Sequence, residues 1–258
     1  MKPRVAVFKF ASCDGCQLQF LNAEDELLKL AAEVDFVYFP EARSRMLEGP
    51  YDIAFVEGSI TTPDDARRII RVREESRYLV TIGACATAGG IQALRNWTDV
   101  DQYRRVVYPS PEFISTLSTS TPISEHVRVD FEVWGCPVDK HQLLAVMRSL
   151  LSKARPVLPA YSVCMECKRR GNVCVVVTRG EPCLGPVTRT GCGALCPAFD
   201  RGCYGCFGPA DDQNMESFTQ LLSAQGVTGD DAVRRLRGIN GYVRPWRETA
   251  DAIAAQKK

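Results

Sequence analysis

Apolar runs alternate with amphipathic stretches through the first 150 or so positions. Residues 5–10 are apolar except for Lys9 and predict a strand. Residues 17–30, apolar at 18, 20, 21, 27, 28 and 30, predict one helix. Further strands are predicted at 34–39, 53–56, 78–82 and 127–134, the third followed by Glu57-Gly58 and the fourth by Gly83. Thr62-Pro63-Asp64-Asp65 reads as a helix start, with a capping hydroxyl, a proline at the first position and acids facing the helix dipole. That helix is expected to reach about Arg77. A short helix over 88–96 and a longer one over 140–151 follow, and 108–126, rich in Pro, Ser and Thr, reads as irregular.

Repeated strand and helix are best satisfied by a parallel sheet covered on both faces. The fold class expected is α/β, a flavodoxin-like open parallel sheet over 1–155. After Arg155 the texture changes: 14 of the 56 residues from 155 to 210 are Gly or Pro, and only 173–178 show any period. Residues 156–258 are therefore expected to form an irregular metal-cluster domain, with bound metal supplying folding energy that a core cannot. Short helices are expected at about 212–225, 230–237 and 245–256.

Composition narrows the partners. Lys plus Arg number 32 and Asp plus Glu 31, a net charge of +1, which lacks the basic footprint of nucleic-acid binding. No apolar run approaches the roughly 20 residues of a membrane span. The first residues run straight into a strand pattern without an export signal, so a cytoplasmic protein is expected.

The chemistry lies in 12 cysteines among 258 residues: 13, 16, 85, 136, 164, 167, 174, 183, 192, 196, 203 and 206. In a reducing compartment disulfides are the weaker reading. C-x2-C pairs at 13/16, 164/167 and 203/206 point instead to metal, and four thiolates suit either tetrahedral zinc or an iron–sulfur cluster. Cys13 and Cys16 follow the first predicted strand, Cys85 the fourth and Cys136 the fifth. The carboxyl ends of parallel strands share one edge, so these four thiols are expected to converge there. Nearest-neighbour division of the later eight gives Cys164, Cys167, Cys174 and Cys183 as one set, and Cys192, Cys196, Cys203 and Cys206 as the other. Three clusters in one small chain point to electron relay. Dinucleotide fingerprint, Walker loop and nucleophile elbow are all absent, and no acid–base constellation stands out, so no catalytic residue is assigned.

These residues resemble a known family. Ser12-Cys13-Asp14-Gly15-Cys16-Gln17, Val56-Glu57-Gly58-Ser59, Gly83-Ala84-Cys85-Ala86 with Gly89-Gly90, and Gly135-Cys136-Pro137 carry the likeness in the first part. Gly180-Glu181-Pro182-Cys183-Leu184-Gly185-Pro186-Val187-Thr188-Arg189, then Gly191-Cys192, Cys196-Pro197 and Gly202-Cys203-Tyr204-Gly205-Cys206, carry it in the second. Over about residues 4–210 the chain resembles the small, delta subunit of cytoplasmic NAD(P)-linked nickel–iron hydrogenases, or sulfhydrogenases. The resemblance implies three [4Fe–4S] clusters: proximal on Cys13, Cys16, Cys85 and Cys136, medial on Cys192, Cys196, Cys203 and Cys206, and distal on Cys164, Cys167, Cys174 and Cys183. It implies that iron is held through these twelve cysteines and that no nickel is bound. It also implies a large (alpha) subunit bearing the nickel–iron centre, and gamma and beta subunits bearing FAD, NAD(P) and further iron–sulfur groups. The reaction served would be reversible oxidation of H2, with sulfur reduction left open.

Cys164 stands where periplasmic members have histidine, Cys196 where many have proline, and Ser12 where they have glutamate. The two extra thiolates add negative charge, which implies lower potentials, suited to a nicotinamide partner. Glu57 reads either as a strand stop or as a residue that packs or tunes the proximal cluster. His126 and His141 read as packing or surface residues. Tyr204 and Phe207 either shield the medial cluster or simply pack. Lys168-Arg169-Arg170 reads as a solvated run or as a docking patch for an acidic electron carrier. Rival readings of the whole chain are an iron–sulfur subunit of another redox complex, related to a quinone-reducing respiratory subunit, and a zinc-stabilised binding module.

Overall fold

The computed structural model describes residues 2–256. The chain divides into two compact units, the first ending at Val157 and the second beginning at Leu158.

The first unit is a five-stranded sheet of β1 (Arg4–Lys9), β2 (Asp35–Tyr38), β3 (Tyr51–Glu57), β4 (Ser76–Ile82) and β5 (Phe131–Val133). The strands are parallel in the order β2-β1-β3-β4-β5, the flavodoxin-like arrangement. Central strands buried on both faces need continuous apolar runs. Val5, Ala6 and Val7 of β1 and Ala54, Phe55 and Val56 of β3 are accordingly fully buried. Helices α1 (Gly15–Leu21), α2 (Asp25–Glu33), α3 (Pro63–Glu74), α4 (Gly83–Ala88), α5 (Val100–Val107) and α6 (Lys140–Leu151) connect or flank the strands. Thr62 caps α3 as expected, in a reciprocal capping box with Asp65.

Three expectations need correction here, and one helix was not expected. Residues 17–30 form two helices, because the turn at Asn22–Glu24 re-aims the chain. Glu24, with φ 48°, interrupts the helical run between them. The expected 88–96 helix is α4 followed by a tight 3-10 segment, Ile91–Trp97, so Cys85 sits inside a helix. The stretch 108–126 is irregular as expected, but α5, just before it, was not expected. Val100, Tyr103, Val106 and Val107 recur at helical spacing along it and Asp99 caps it through the amides of Asp101 and Gln102, so a local signal is present although no side chain is buried. Strand β5 is shorter than 127–134 because the Asp130 carboxylate, paired with Arg73 at 2.5 Å, takes the Leu79 N–H at 2.8 Å.

The second unit carries α7 (Val163–Arg169), α8 (Val175–Arg179), α9 (Leu195–Ala198), α10 (Met215–Ala224), α11 (Gly229–Leu236) and α12 (Arg244–Ala255). It has a hydrophobic core after all. Phe218, Leu222, Ala232, Leu236, Trp246 and Ala250 from α10–α12 pack on Leu184 and Val187 of the cysteine-rich stretch. The Gly/Pro-rich segment looked coreless because it contributes only two of those eight side chains. Among the described residues no helix is long and apolar enough to cross a membrane.

Candidate functional site

The strand register builds the first site. Lys9, Glu57, Ile82 and Val133, the last residues of β1, β3, β4 and β5, pair across neighbouring strands in one row. With strands about 4.8 Å apart, the loops leaving that row start within about 15 Å of each other. They carry Cys13 and Cys16, Cys85, and Cys136. The loops are then tied together. Ala84 N–H donates to Gly135 O at 2.8 Å. A Cβ on Gly83 would collide with Cys16 Sγ, and one on Gly15 would lie 3.4 Å from Cys13 Sγ and 3.7 Å from Pro137. Cys16 feels the charges of Cys85 and Cys136, and Cys85 those of Cys136 and Cys13. The four thiols thus gather at one sheet edge, as their positions after the strands predict.

Glu57 explains how α1 is aimed at that edge. Asp14 begins α1 without capping it. The buried Glu57 carboxylate instead accepts the N–H groups of Cys16 and Gln17, at 3.0 and 3.2 Å. Burial pushes the Glu57 carboxyl up, and these N–H bonds oppose that rise. Glu57 is the last residue of β3, so it ends the strand and holds the start of α1 at once. Gln92, which the sequence reading missed, lies 3.5 Å from Cys85 Sγ and donates to Ala11 O at 2.7 Å. Its only sequence signal is its place just after Gly89-Gly90.

Desolvation, followed by the hydrogen bond to Gln92 and the neighbouring thiols, sets the Cys85 thiol at about 11, and burial also pushes Cys16 up. Such thiols keep their protons until a metal displaces them.

In the second unit α7 presents Cys164 and Cys167 one turn apart. A Cβ on Gly185 would lie 3.3 Å from Cys183 Sγ and 3.5 Å from Cys164 Sγ. Burial, then the charges of Cys183, Cys167 and Cys174, push the Cys164 thiol up to about 11. Asn172 Nδ2 lies 3.7 Å from Cys167 Sγ. In the other set the ties are pairwise, Cys192 with Cys196 and Cys203 with Cys206. Buried Cys203 sends its N–H to Cys183 Sγ at 3.1 Å, and Gly205 N–H lies 3.4 Å from Cys203 Sγ. All twelve cysteines are free thiols. Among the described residues no three Cys, His, Asp or Glu side chains close on a single metal ion.

Phe207 is buried and Tyr204 half exposed, so only the former packs. His126 Nε2 meets Thr121 Oγ1 at 2.8 Å and His141 lies at the surface, in keeping with packing and surface roles. The basic run is not simply solvated. Arg169 donates to Tyr161 Oη at 2.7 Å and lies over that ring, while Arg170 donates to Gly193 O at 2.8 Å.

Comparison with known proteins places this geometry in a family. The family model described as NADH ubiquinone oxidoreductase, 20 Kd subunit, matches residues 13–150, a span that contains the first four cysteines and none of the later eight. Sulfhydrogenase 2 subunit delta of Pyrococcus furiosus is 35% identical over 234 residues, covering 91% of this chain and 98% of that protein. A subunit of the F420-non-reducing hydrogenase vhu of Methanocaldococcus jannaschii is 30% identical over 237 residues, covering 81% of this chain and 82% of that protein. Among solved structures, a chain of an NAD+-reducing [NiFe]-hydrogenase in the H2-reduced state is similar with a TM-score of 0.58 and 31% identity, covering 62% of this chain and 96% of that one. The shared sheet, the cysteine edge and the near full-length match together show that the chain belongs to the family of small, delta-type subunits of nickel–iron hydrogenases and sulfhydrogenases, the electron-transferring, non-catalytic members of those enzyme complexes.

Proposed function

We propose that the chain relays electrons through three [4Fe–4S] clusters, between a nickel–iron site on a large subunit and a flavin- and NAD(P)-binding partner, in a cytoplasmic complex. The observation that carries this reading is the row Lys9, Glu57, Ile82 and Val133, beyond which four cysteines distant in sequence meet at one edge. Cys13, Cys16, Cys85 and Cys136 would hold the proximal cluster, Cys164, Cys167, Cys174 and Cys183 the distal one, and Cys192, Cys196, Cys203 and Cys206 the medial one. The residues present suit such a group. The donors are all thiols, and glycines 83, 90 and 185 leave the space beside sulfur free, since a Cβ on Gly90 would come within 2.7 Å of Cys85 Sγ. N–H groups already point at Cys183 and Cys203 sulfur.

When bound, such a group accepts and returns one electron with little change of shape. The protein's part is to fix, bury and tune. Glu57 holds α1, Gln92 holds the Cys85 turn, and backbone amides offset the thiolate charge. The iron–sulfur domain of 156–258 belongs to the same proposal.

The test is anaerobic purification of the native complex, with metal analysis and absorption spectra of this chain's sites. About twelve irons on this chain and a brown colour are expected. A colourless chain, or zinc in place of iron, would overturn the reading. Hydrogen-driven assays with NAD, NADP and a dye then identify the acceptor, because an F420-non-reducing relative matches this chain at 81% coverage.

A further inference from the structure

Helix α7 holds the loop around Cys192 with two side chains one turn apart. The carboxylate of Glu166, which lies between Cys164 and Cys167, accepts the Gly191 and Ala194 N–H groups, each at 3.2 Å. Arg170, the C-cap residue just past α7, donates to Gly193 O at 2.8 Å. An acid thus accepts from two N–H donors, and a guanidinium donates to the carbonyl between them.

The loop needs such a hold. Ala194 is fully buried with φ 53°, a left-handed conformation that is unfavourable for a residue with a Cβ. Gly193, beside it, has φ 65°. Ala194 N–H would face no acceptor within its own short helix, so the Glu166 oxygen satisfies a buried donor where the backbone is most strained. The same carboxylate puts a negative charge beside Cys192.

We infer that Glu166 is a positioning residue that ties the Cys192 set to the helix bearing Cys164 and Cys167, and whose charge lowers the reduction potential of the Cys192 set. This rests on the proposed clusters. Adding an electron to a thiolate-ligated core increases its negative charge, so a fixed carboxylate nearby opposes reduction. Arg170 is exposed and acts mainly by holding Gly193.

The test uses the whole complex, purified anaerobically, with Glu166→Gln. Each cluster takes one electron from dithionite and returns it to the oxidising titrant, followed by electron paramagnetic resonance. The medial signal is identified as the one altered by Cys196→Pro. Glutamine keeps the shape but loses the charge and one acceptor. Iron is expected to stay, and the reduced-to-oxidised ratio of the medial signal at fixed potential to rise about tenfold, ~59 mV for one electron. The other two signals should move much less, and amides 191–194 should exchange faster with deuterium. The exposed Glu181→Gln, an equal loss of charge beside Cys183, should leave the medial signal in place.

An unmoved medial potential with iron retained, or an equal shift in Glu181→Gln, would overturn the inference. If Glu166→Gln does not assemble, Arg170→Met decides: faster exchange at 193–194 with iron retained supports the tie, and unchanged exchange overturns it. Absence of all cluster signals from the unaltered complex would instead overturn the proposed function itself.

Discussion

The sulfur of Cys183 accepts the backbone N–H of Cys203 at 3.1 Å. Each cysteine belongs to a different proposed set, so a ligand of one is hydrogen-bonded through the main chain of a ligand of the other. The link is buried at both ends, and Leu184 N–H closes it by donating to Cys203 O at 3.0 Å. Cys183→Ala is therefore expected to disturb both sets, because it leaves the buried Cys203 N–H without its acceptor, at a cost of about 1–3 kcal/mol. Cys174→Ser, at an exposed thiol, should affect one set alone. Iron content and the number of altered paramagnetic signals in the two variants check this.

Glu57→Gln keeps one acceptor for the α1 amides and loses the other. The complex should lose about 1–3 kcal/mol of stability, and Glu57→Ala more, since it leaves both the Cys16 and Gln17 donors unpaired. Thermal unfolding of the complex, with iron retention at the first site followed alongside, measures this.

Gly205, with φ 77°, lies under the Trp246 ring, and a Cβ there would sit 2.6 Å from it. Gly205→Ala should cost about 1–3 kcal/mol through overpacking, with a further cost for positive φ. Limited proteolysis should then cut the second unit faster while the first stays intact.

Tyr51 donates its hydroxyl to Leu47 O at 3.1 Å. Burial, with the nearby Glu75 charge, pushes its pKa from 10.0 up to about 12. The folded state binds this proton more tightly than the unfolded chain. The contribution is therefore complete below about pH 10 and is lost as pH rises toward 12. Tyr51→Phe should flatten that alkaline decline, at a cost of about 1 kcal/mol near neutrality. Denaturation curves in both proteins, from neutral pH up through that alkaline window, test the sign.

Cys196→Pro removes one thiol from its set while leaving Cys192, Cys203 and Cys206. One iron fewer per chain is expected, together with a new paramagnetic signal in the oxidised state from a three-iron core. Iron analysis and spectroscopy of the oxidised complex read this directly.

Much of the fold was legible because its signals are local. Apolar runs at β1, β3 and β4 are forced by burial on both faces, and the Thr62–Asp65 cap is a contiguous device of four residues. Helix α5 did carry a local signal, apolar residues at 100, 103, 106 and 107 behind the Asp99 cap, whereas the break at Asn22–Glu24 escaped because period alone does not reveal which side chain turns inward. Likewise Gln92, Glu166, Asn172 and Arg170 gave little warning. They reach their partners across 7, 25–28, 5 and 23 residues.

The sequence by itself determined the alternation of strand and helix, the positions of the first four cysteines just beyond strand ends, and the resemblance that names the family. Those follow from short-range patterning and from residue identity. Only the tertiary structure decided that Glu57 caps the helix of Cys16, that Trp246 and its neighbours give the second unit a core, and that α7 grips the Cys192 loop. Each joins groups far apart along the chain, and such pairings become favourable only when folding has already met the entropy of bringing them together.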